Sequence, residues 1–206
     1  MNFKAIIVFI SSLAAALVVA LSTSNGILLS PDSYAYFSAA DTVRVYGGVP
    51  RDYINFPPLY PIILSVSSYM ELAAKAINVS CFSATVAIVL SMLGKSLSLI
   101  NLAAVAAIIL CSPVLGFVHS YAWSEPLFIL LVSALFYVTP AARNRFISMA
   151  CIIGIACLQR YVGVLLIPVG ALAMMLAKSK IKHLAIFLIV ASAPIGLWMV
   201  RNIALG

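Results

Sequence analysis

Long apolar runs, separated by short polar or proline-rich breaks, dominate the pattern of this chain. Several runs approach the roughly 20 residues that a helix needs to cross a membrane. The predicted spans lie at about 4–28, 72–94, 97–118, 122–139, 146–159, 161–177 and 183–205. We therefore predict an all-α polytopic membrane protein with about seven transmembrane helices. Residues 1–206 would form one transmembrane domain, with surface helices in the long loop at about 29–70.

The first part of this loop, "SPDSYAYFSAADTVRVYGG", predicts a helix that lies on the membrane surface. Ser30 suits the N-cap and Pro31 the first helical position. Asp32 complements the positive end of the helix, and Gly47 follows the last turn. The second part, residues 52–61, reads "DYINFPPLYP" and predicts a rigid corner, after which the run 59–70 is too short to span.

The two acids of the surface helix face different directions. Asp41 follows Asp32 by nine residues, which places the two side chains about 180° apart. Asp41 also has Arg44 three residues later, which predicts a surface ion pair. Asp32 shares a face with Tyr36 and is the better catalytic candidate, with simple capping of the helix N-terminus as its alternative role.

Composition excludes a soluble domain, because 65% of the residues are apolar, only 8% are charged, and the mean hydropathy is +1.18. The net charge of +7 does not indicate nucleic-acid binding, since the basic residues lie in short loops between predicted helices. The sequence also lacks the DxD, P-loop and Rossmann glycine patterns of soluble nucleotide-sugar enzymes.

Charge then predicts the orientation of the helices. With a cytoplasmic N-terminus, the inside segments contain seven basic residues and no acid: Lys4, Lys95, Arg143, Arg145, Lys178, Lys180 and Lys182. The outside segments contain all five acids: Asp32, Asp41, Asp52, Glu71 and Glu125. The C-terminus would also be outside, and this segregation of acids points to chemistry on the outer face.

Several polar residues have both a functional and a structural interpretation. Arg160, between two short predicted spans, either serves a function in the membrane or extends to the interface. Glu125 precedes Pro126 at the start of a span, where it either acts chemically or complements the helix dipole. Asp52 beside the proline-rich corner is a candidate second acid, and His119 is a candidate ligand or acid–base group. A further pair of charged residues, Glu71 and Lys75, predicts a structural ion pair.

Five motifs follow one another along the chain: "SPDSYAYFSAA", "PPLYP", "WSEPLFILL", "QRYVG" and "PIGLWMVRN". Their order resembles the N-terminal membrane half of the GT-C glycosyltransferases. The similarity is greatest to the branch containing protein O-mannosyltransferases and bacterial aminoarabinose lipid A transferases. It covers essentially the whole chain. The resemblance implies that a C-terminal half or a partner subunit completes a larger architecture.

The resemblance implies transfer of a sugar from a polyprenyl-phosphate donor to a lipid, glycan or protein acceptor on the outer face of a prokaryotic plasma membrane. Asp32 would be the general base or a metal-associated carboxylate, with Glu125 as the second catalytic acid; whether a divalent metal takes part stays open. Substrate binding would fall to a set of outer-face residues: Tyr36, Asp52, Tyr60, His119, Arg160, Tyr161, Arg201 and Asn202.

Physical chemistry is consistent with these roles. A carboxylate can accept the proton of an attacking hydroxyl or amine, and arginine can neutralise a departing phosphate. Two other classes stay open: a transporter or flippase for a polyprenyl-linked or anionic substrate, and a non-catalytic membrane scaffold subunit. A transporter would show interrupted helices in matching halves, and the sequence has no clear internal repeat.

Overall fold

A computed structural model describes residues 3–205 of the chain, with the side chains of residues 3–204. The described residues form ten α-helices joined by turns and two short 3-10 segments, with an isolated β-bridge between Leu28 and Tyr121. The helices are α1 Phe3–Ser22, α2 Pro31–Tyr46, α3 Leu59–Leu64, α4 Met70–Leu93, α5 Leu99–Leu110, α6 Pro113–Ser120, α7 Glu125–Val138, α8 Ala142–Gln159, α9 Leu166–Leu176 and α10 Ile181–Leu205. The predicted all-α class is confirmed for this part of the chain.

Four helical segments are long and apolar enough to cross a membrane: Phe3–Ser22, Met70–Leu93, Glu125–Gln159 and Ile181–Ala204. A fifth crossing is possible if α5 and α6, which meet at a bend of 48°, act as one span. The outer faces of these helices are apolar; Phe9 is 69% exposed and Leu21 is 70% exposed. Such helices indicate an integral membrane protein, because this surface suits lipid rather than water. The predicted seven spans and their orientation stay predictions.

The first predicted span is too long at its C-terminal end, because α1 stops at Ser22 instead of continuing to residue 28. The hydroxyls of Ser22 and Thr23 both donate to the Val19 carbonyl, at 3.0 and 2.7 Å. Gly26 then takes a φ of 115°, a conformation that favours glycine, and the chain turns. The stretch TSNG at residues 23–26 therefore ends the helix, although Ile27 and Leu28 after it are apolar again.

The third predicted span, 97–118, is divided into α5 and α6. The helix is interrupted at Ser112, whose hydroxyl caps α6 by accepting a hydrogen bond from the Leu115 amide at 3.4 Å. Pro113 follows at the first helical position, where its missing N–H costs nothing. The bend of 48° between the two helices is the consequence.

The fourth and fifth predicted spans, 122–139 and 146–159, overlap one helical run, Glu125–Gln159, which starts three residues later than predicted. A 3-10 turn at Thr139–Ala141 and a non-helical Arg145 with φ −115° interrupt this run. The sixth predicted span begins with a 3-10 turn, Tyr161–Leu165, before α9. This turn approaches α8 closely: a Cβ at Gly163 would lie 2.6 Å from the backbone of Ala156.

The predicted helix of the first loop is confirmed as α2, Pro31–Tyr46, and its place on the membrane surface stays a prediction. Ser30 and Ser33 cap it reciprocally: the Ser30 amide donates to Ser33 Oγ at 3.0 Å, and the Ser33 amide donates to Ser30 Oγ at 3.4 Å. At the other end Gly47 has a φ of 75°, and its amide donates to the Val43 carbonyl at 2.8 Å.

Two predicted ion pairs have opposite outcomes. Arg44 and Asp41 form the predicted surface pair on α2. The predicted pair between Glu71 and Lys75 is wrong, because Lys75 Nζ donates instead to the Thr23 carbonyl at 2.8 Å. The proline-rich corner is followed by α3, whose six residues are too few to span a membrane, as predicted.

The described chain divides into two compact units. The first comprises Met1–Phe37 and Ser67–Ser133, and the second comprises Ser38–Val66 and Ala134–Gly206. In the first unit α1, α4 and α5 share a core of buried apolar residues: Ala15, Val19, Phe82, Val86, Leu90, Leu102 and Ala106. Small residues on α1 let the backbones approach, and Ser83 Oγ on α4 donates to the Ser12 carbonyl at 2.9 Å.

The core of the second unit lies between α8 and α10. Ile153 of α8 and Phe187 and Ala191 of α10 are fully buried. Gly154 allows close contact: a Cβ there would lie 3.0 Å from the ring of Pro194. A proline inside a helix removes one backbone hydrogen bond, and here its ring fills the space that the glycine leaves.

Asn78 is a buried polar residue that joins α4 to the C-terminal end of α6. Its amide group donates to the His119 carbonyl at 2.9 Å and to the Tyr121 carbonyl at 2.7 Å. Both carbonyls belong to irregular or terminal backbone, which needs a partner inside a membrane protein. One side chain therefore supplies two of these bonds.

We predict that Asn78→Leu lowers the free energy of unfolding by about 1–3 kcal/mol, because two buried carbonyls lose their donor. Thr85→Val is the matched control: Thr85 lies two turns along α4, is 6% exposed, and its hydroxyl has no hydrogen-bond partner among the described residues. This control should leave stability unchanged. Unfolding in mixed micelles measures both, and equal losses in the two variants would contradict the role of Asn78.

Candidate functional site

Two polar segments of the first unit lie side by side, residues 28–36 and 120–125, which we name the paired segments. The Leu28 amide donates to the Ser120 carbonyl at 2.9 Å. In return the Ala122 amide donates to the Leu28 carbonyl at 2.9 Å. Next to this bridge, Ser22 and Ser120 share a hydrogen bond of 3.2 Å between their hydroxyls. The ends of α1 and α6 are thereby joined.

Side chains extend the pairing to the starts of α2 and α7. Trp123 Nε1 donates to Ser30 Oγ at 2.7 Å, so a residue just before α7 holds the N-cap residue of α2. Tyr36, which lies nearly two turns further along α2, shares a hydrogen bond of 3.2 Å with Ser124. Both Tyr36 and Ser124 are buried. Together with the backbone bridge, these bonds fix the two helix starts against each other.

The two predicted catalytic acids both lie in the first turns of these helices, Asp32 in α2 and Glu125 in α7. Asp32 is exposed and has no hydrogen bond or ion pair within the described residues 3–204. The capping alternative for Asp32 is not the one used, since Ser30 and Ser33 cap the helix. Its carboxylate is therefore available as a proton acceptor, while Glu125 is half-buried.

His119, the predicted ligand near Glu125, lies in the last turn of α6 and is fully buried. Its Nδ1 is 2.8 Å from the Leu115 carbonyl, and its ring packs on Phe82 with centroids 4.6 Å apart. A substrate can reach this ring only if the side chains around it move. The binding role of His119 stays a prediction.

In the second unit Arg201, near the end of α10, holds the loop that precedes the proline-rich corner. Its NH2 group donates to the carbonyls of Val49 and Pro50, both at 2.7 Å. Its NH1 group donates to Asn202 Oδ1 at 2.9 Å, and its guanidinium carbon lies 4.7 Å from the Trp198 ring centroid. A guanidinium has five N–H groups. These bonds use three of them, so two can still bind an anion.

Tyr161 holds the same loop at its other end. The Tyr161 hydroxyl donates to the Ile54 carbonyl at 2.8 Å and accepts a hydrogen bond from Trp198 Nε1 at 3.0 Å. The loop 49–54 is therefore fixed on both sides of Asp52, whose side chain is exposed. The second unit thus brings together four of the predicted substrate-binding residues: Asp52, Tyr161, Arg201 and Asn202.

Two further predicted residues lie elsewhere in the second unit. Arg160 is half-buried and stands where α8 ends, with extended backbone at φ −151° and ψ 139°. This position matches the junction that the sequence predicted. Tyr60 in α3 is fully buried, so it supports the corner from inside rather than lining an open surface.

Sequence reasoning missed the residues that hold these sites in place, above all Trp123, Ser124, Asn78 and Trp198. A signal existed for the two tryptophans, because an indole N–H that packing shields from water needs an acceptor. In both cases the partner is a hydroxyl far away in the sequence, Ser30 or Tyr161. Pattern and spacing along the chain contain no information on such distant pairs.

No group of three or more His, Cys, Asp or Glu side chains lies close enough to hold a metal ion within the part of the chain that the structure describes. The paired segments contain two carboxylates, those of Asp32 and Glu125, and no histidine or cysteine. The described residues do not make a metal site by themselves.

Comparison with protein-family models, curated proteins and solved structures finds no match to this chain.

We predict that Arg201→Gln loosens the loop 49–54, because the guanidinium bonds to two loop carbonyls are lost. Amide hydrogen exchange at Tyr53 and Ile54 should accelerate by about tenfold or more. Arg51→Gln is the matched control, since Arg51 is an exposed arginine of the same loop without a partner among the described residues. Unchanged exchange in Arg201→Gln, or equal acceleration in both variants, would show that Arg201 does not hold the loop.

Proposed function

We propose that this chain is a membrane glycosyltransferase that moves a sugar from a polyprenyl-phosphate donor to an acceptor on the extracytoplasmic face. The observation that carries the proposal is the pairing of residues 28–36 with 120–125. Two motifs of the GT-C resemblance, "SPDSYAYFSAA" and "WSEPLFILL", are distant in sequence and meet there. Each contributes one carboxylate in the first turn of a helix.

The proposal includes the finer topology. Seven spans with a cytoplasmic N-terminus would leave the paired segments, and all five acids of the chain, on the outer side of a prokaryotic plasma membrane. The basic loops at Lys95, Arg143 and Lys178 would face the cytoplasm. An acceptor and a lipid-linked donor can meet on that outer side without a nucleotide sugar.

The proposed chemistry is a single displacement at the anomeric carbon. Asp32 accepts the proton of the acceptor hydroxyl or amine as the new C–O or C–N bond forms, and the bond from the sugar to the lipid phosphate breaks. Glu125 would orient the acceptor from the neighbouring helix start. The resemblance further implies that Arg160 and Arg201 bind the lipid phosphate, since arginine can neutralise a departing phosphate.

The proposal predicts that Asp32→Asn lowers the rate of sugar transfer by about 10²–10⁴-fold, because the amide cannot accept the proton. The assay uses purified protein, radiolabelled polyprenyl-phosphate sugars and candidate lipid, glycan and peptide acceptors. Asp41→Asn is the matched control: it is the other acid of α2, and it forms a surface pair with Arg44. This variant should keep the wild-type rate.

Two outcomes would contradict the proposed function. One is the absence of transfer by the wild-type protein with every donor and acceptor tested. The other is a wild-type rate in both Asp32→Asn and Arg160→Ala. In either case the paired segments would have a structural role, and the transporter or scaffold class would replace the transferase.

A further inference from the structure

A cavity of about 580 Å³ lies in the first unit where α1 ends and α4 begins. Its size falls in the range of about 300–1,000 Å³ that small-molecule sites usually occupy. The wall includes both charged and apolar side chains, among them Ile27, Phe37, Met70, Glu71 and Lys75. None of the proposed catalytic or substrate-binding residues lines it, so it is a site of its own.

The cavity wall presents one positive and one negative group that do not neutralise each other. Glu71 and Lys75 are one helical turn apart on α4, a spacing that puts their Cβ atoms about 5–6 Å apart. Lys75 Nζ donates one hydrogen bond, to the Thr23 carbonyl at 2.8 Å, and keeps two N–H groups. Glu71 is exposed and has no hydrogen bond or ion pair with any side chain or backbone group that the structure describes.

The rest of the wall and its place in the fold suit the upper part of a lipid. Ile27, Phe37 and Met70 provide apolar surface beside the two charges. The helices α1 and α4 are both long and apolar enough to cross a membrane, and the cavity lies at one end of each. The ends of spanning helices lie at the level of lipid headgroups.

We infer that this cavity binds the headgroup of an aminophospholipid of the phosphatidylethanolamine type. Lys75 donates to the phosphate, Glu71 accepts from the ammonium group, and the apolar wall contacts the glycerol and the first acyl carbons. An anionic headgroup without an amine would be repelled by the Glu71 carboxylate, because it has no positive group to offset that charge. A choline headgroup has no N–H to donate to Glu71. The inference does not depend on the proposed sugar transfer.

The test compares lipids that differ only in the headgroup. The full chain is purified in detergent, and binding of phosphatidylethanolamine, phosphatidylcholine and phosphatidylglycerol with identical acyl chains is measured by native mass spectrometry. The expected result is tighter binding of phosphatidylethanolamine than of either other lipid, by about tenfold. Equal affinities for the three headgroups would overturn the inference.

Variants then assign the preference to the cavity. Glu71→Gln should remove the preference for phosphatidylethanolamine over phosphatidylcholine. Lys75→Gln should weaken the binding of both these lipids by about tenfold. Lys4→Gln is the matched control, because Lys4 Nζ makes a similar bond, to the Gly94 carbonyl at 2.9 Å near the other end of α4. Lys4→Gln should leave the affinity for phosphatidylethanolamine unchanged.

Glu71→Gln is the decisive variant, because Glu71 makes no bond that folding of the described chain depends on. An unchanged preference for ethanolamine in this variant would contradict the assignment even if Lys75→Gln failed to fold. Soluble glycerophosphoethanolamine separates the possible sources of the headgroup. It should compete only weakly, because it lacks the acyl carbons; competition as strong as that of the lipid would show that the cavity takes a soluble zwitterion instead.

Discussion

The candidate catalytic site depends on the two backbone hydrogen bonds that join Leu28 to Ser120 and Ala122. Irregular backbone near a membrane needs a partner for each polar group, because lipid offers none. The stretch after α1 and the stretch after α6 satisfy this need by bonding to each other. Asn78 completes the arrangement by donating to the carbonyls of His119 and Tyr121 at the end of α6. The starts of α2 and α7, and with them the acids, are placed as a consequence.

The second unit applies the same constraint with different residues. The loop 49–54 is not helical, and its carbonyls receive bonds from Arg201 and Tyr161. Trp198 supports both of these side chains, by a hydrogen bond to one and by ring contact with the other. Both candidate sites are therefore irregular segments held on long helices, which is an arrangement that keeps functional side chains in fixed positions.

Features that depend on neighbours in the sequence could be predicted, and features that depend on distant partners could not. The bounds of α2, its Ser30 cap, the terminal Gly47 and the pair of Asp41 with Arg44 all follow from spacing of a few residues. The predicted span ran past the end of α1 because Ile27 and Leu28 extend the apolar run, although residues 23–26, TSNG, already indicate a turn. The bonds that tie this turn to Ser120 of α6 could not be predicted from spacing.

The candidate site shows the same division. Asp32 and Glu125 were found as acids at helix starts, but nothing in the sequence indicates that their segments meet across more than 90 residues. The predicted pair of Glu71 and Lys75 is wrong for a related reason. Lys75 binds the carbonyl of Thr23, just after α1, instead of Glu71. A rule based on spacing along one helix cannot predict an acceptor outside that helix.

The most direct measurement is disulfide formation between the ends of α1 and α6, next to the paired segments. In a variant whose four cysteines are replaced by alanine, Ser22→Cys and Ser120→Cys are introduced together, since the two hydroxyls are 3.2 Å apart. The predicted result is rapid cross-linking in membranes under mild oxidation. Ser12→Cys with Ser120→Cys is the control and should not cross-link, because residue 12 lies about 15 Å further along α1. Absence of the first cross-link, or equal yields for both pairs, would contradict the pairing that positions Asp32 and Glu125.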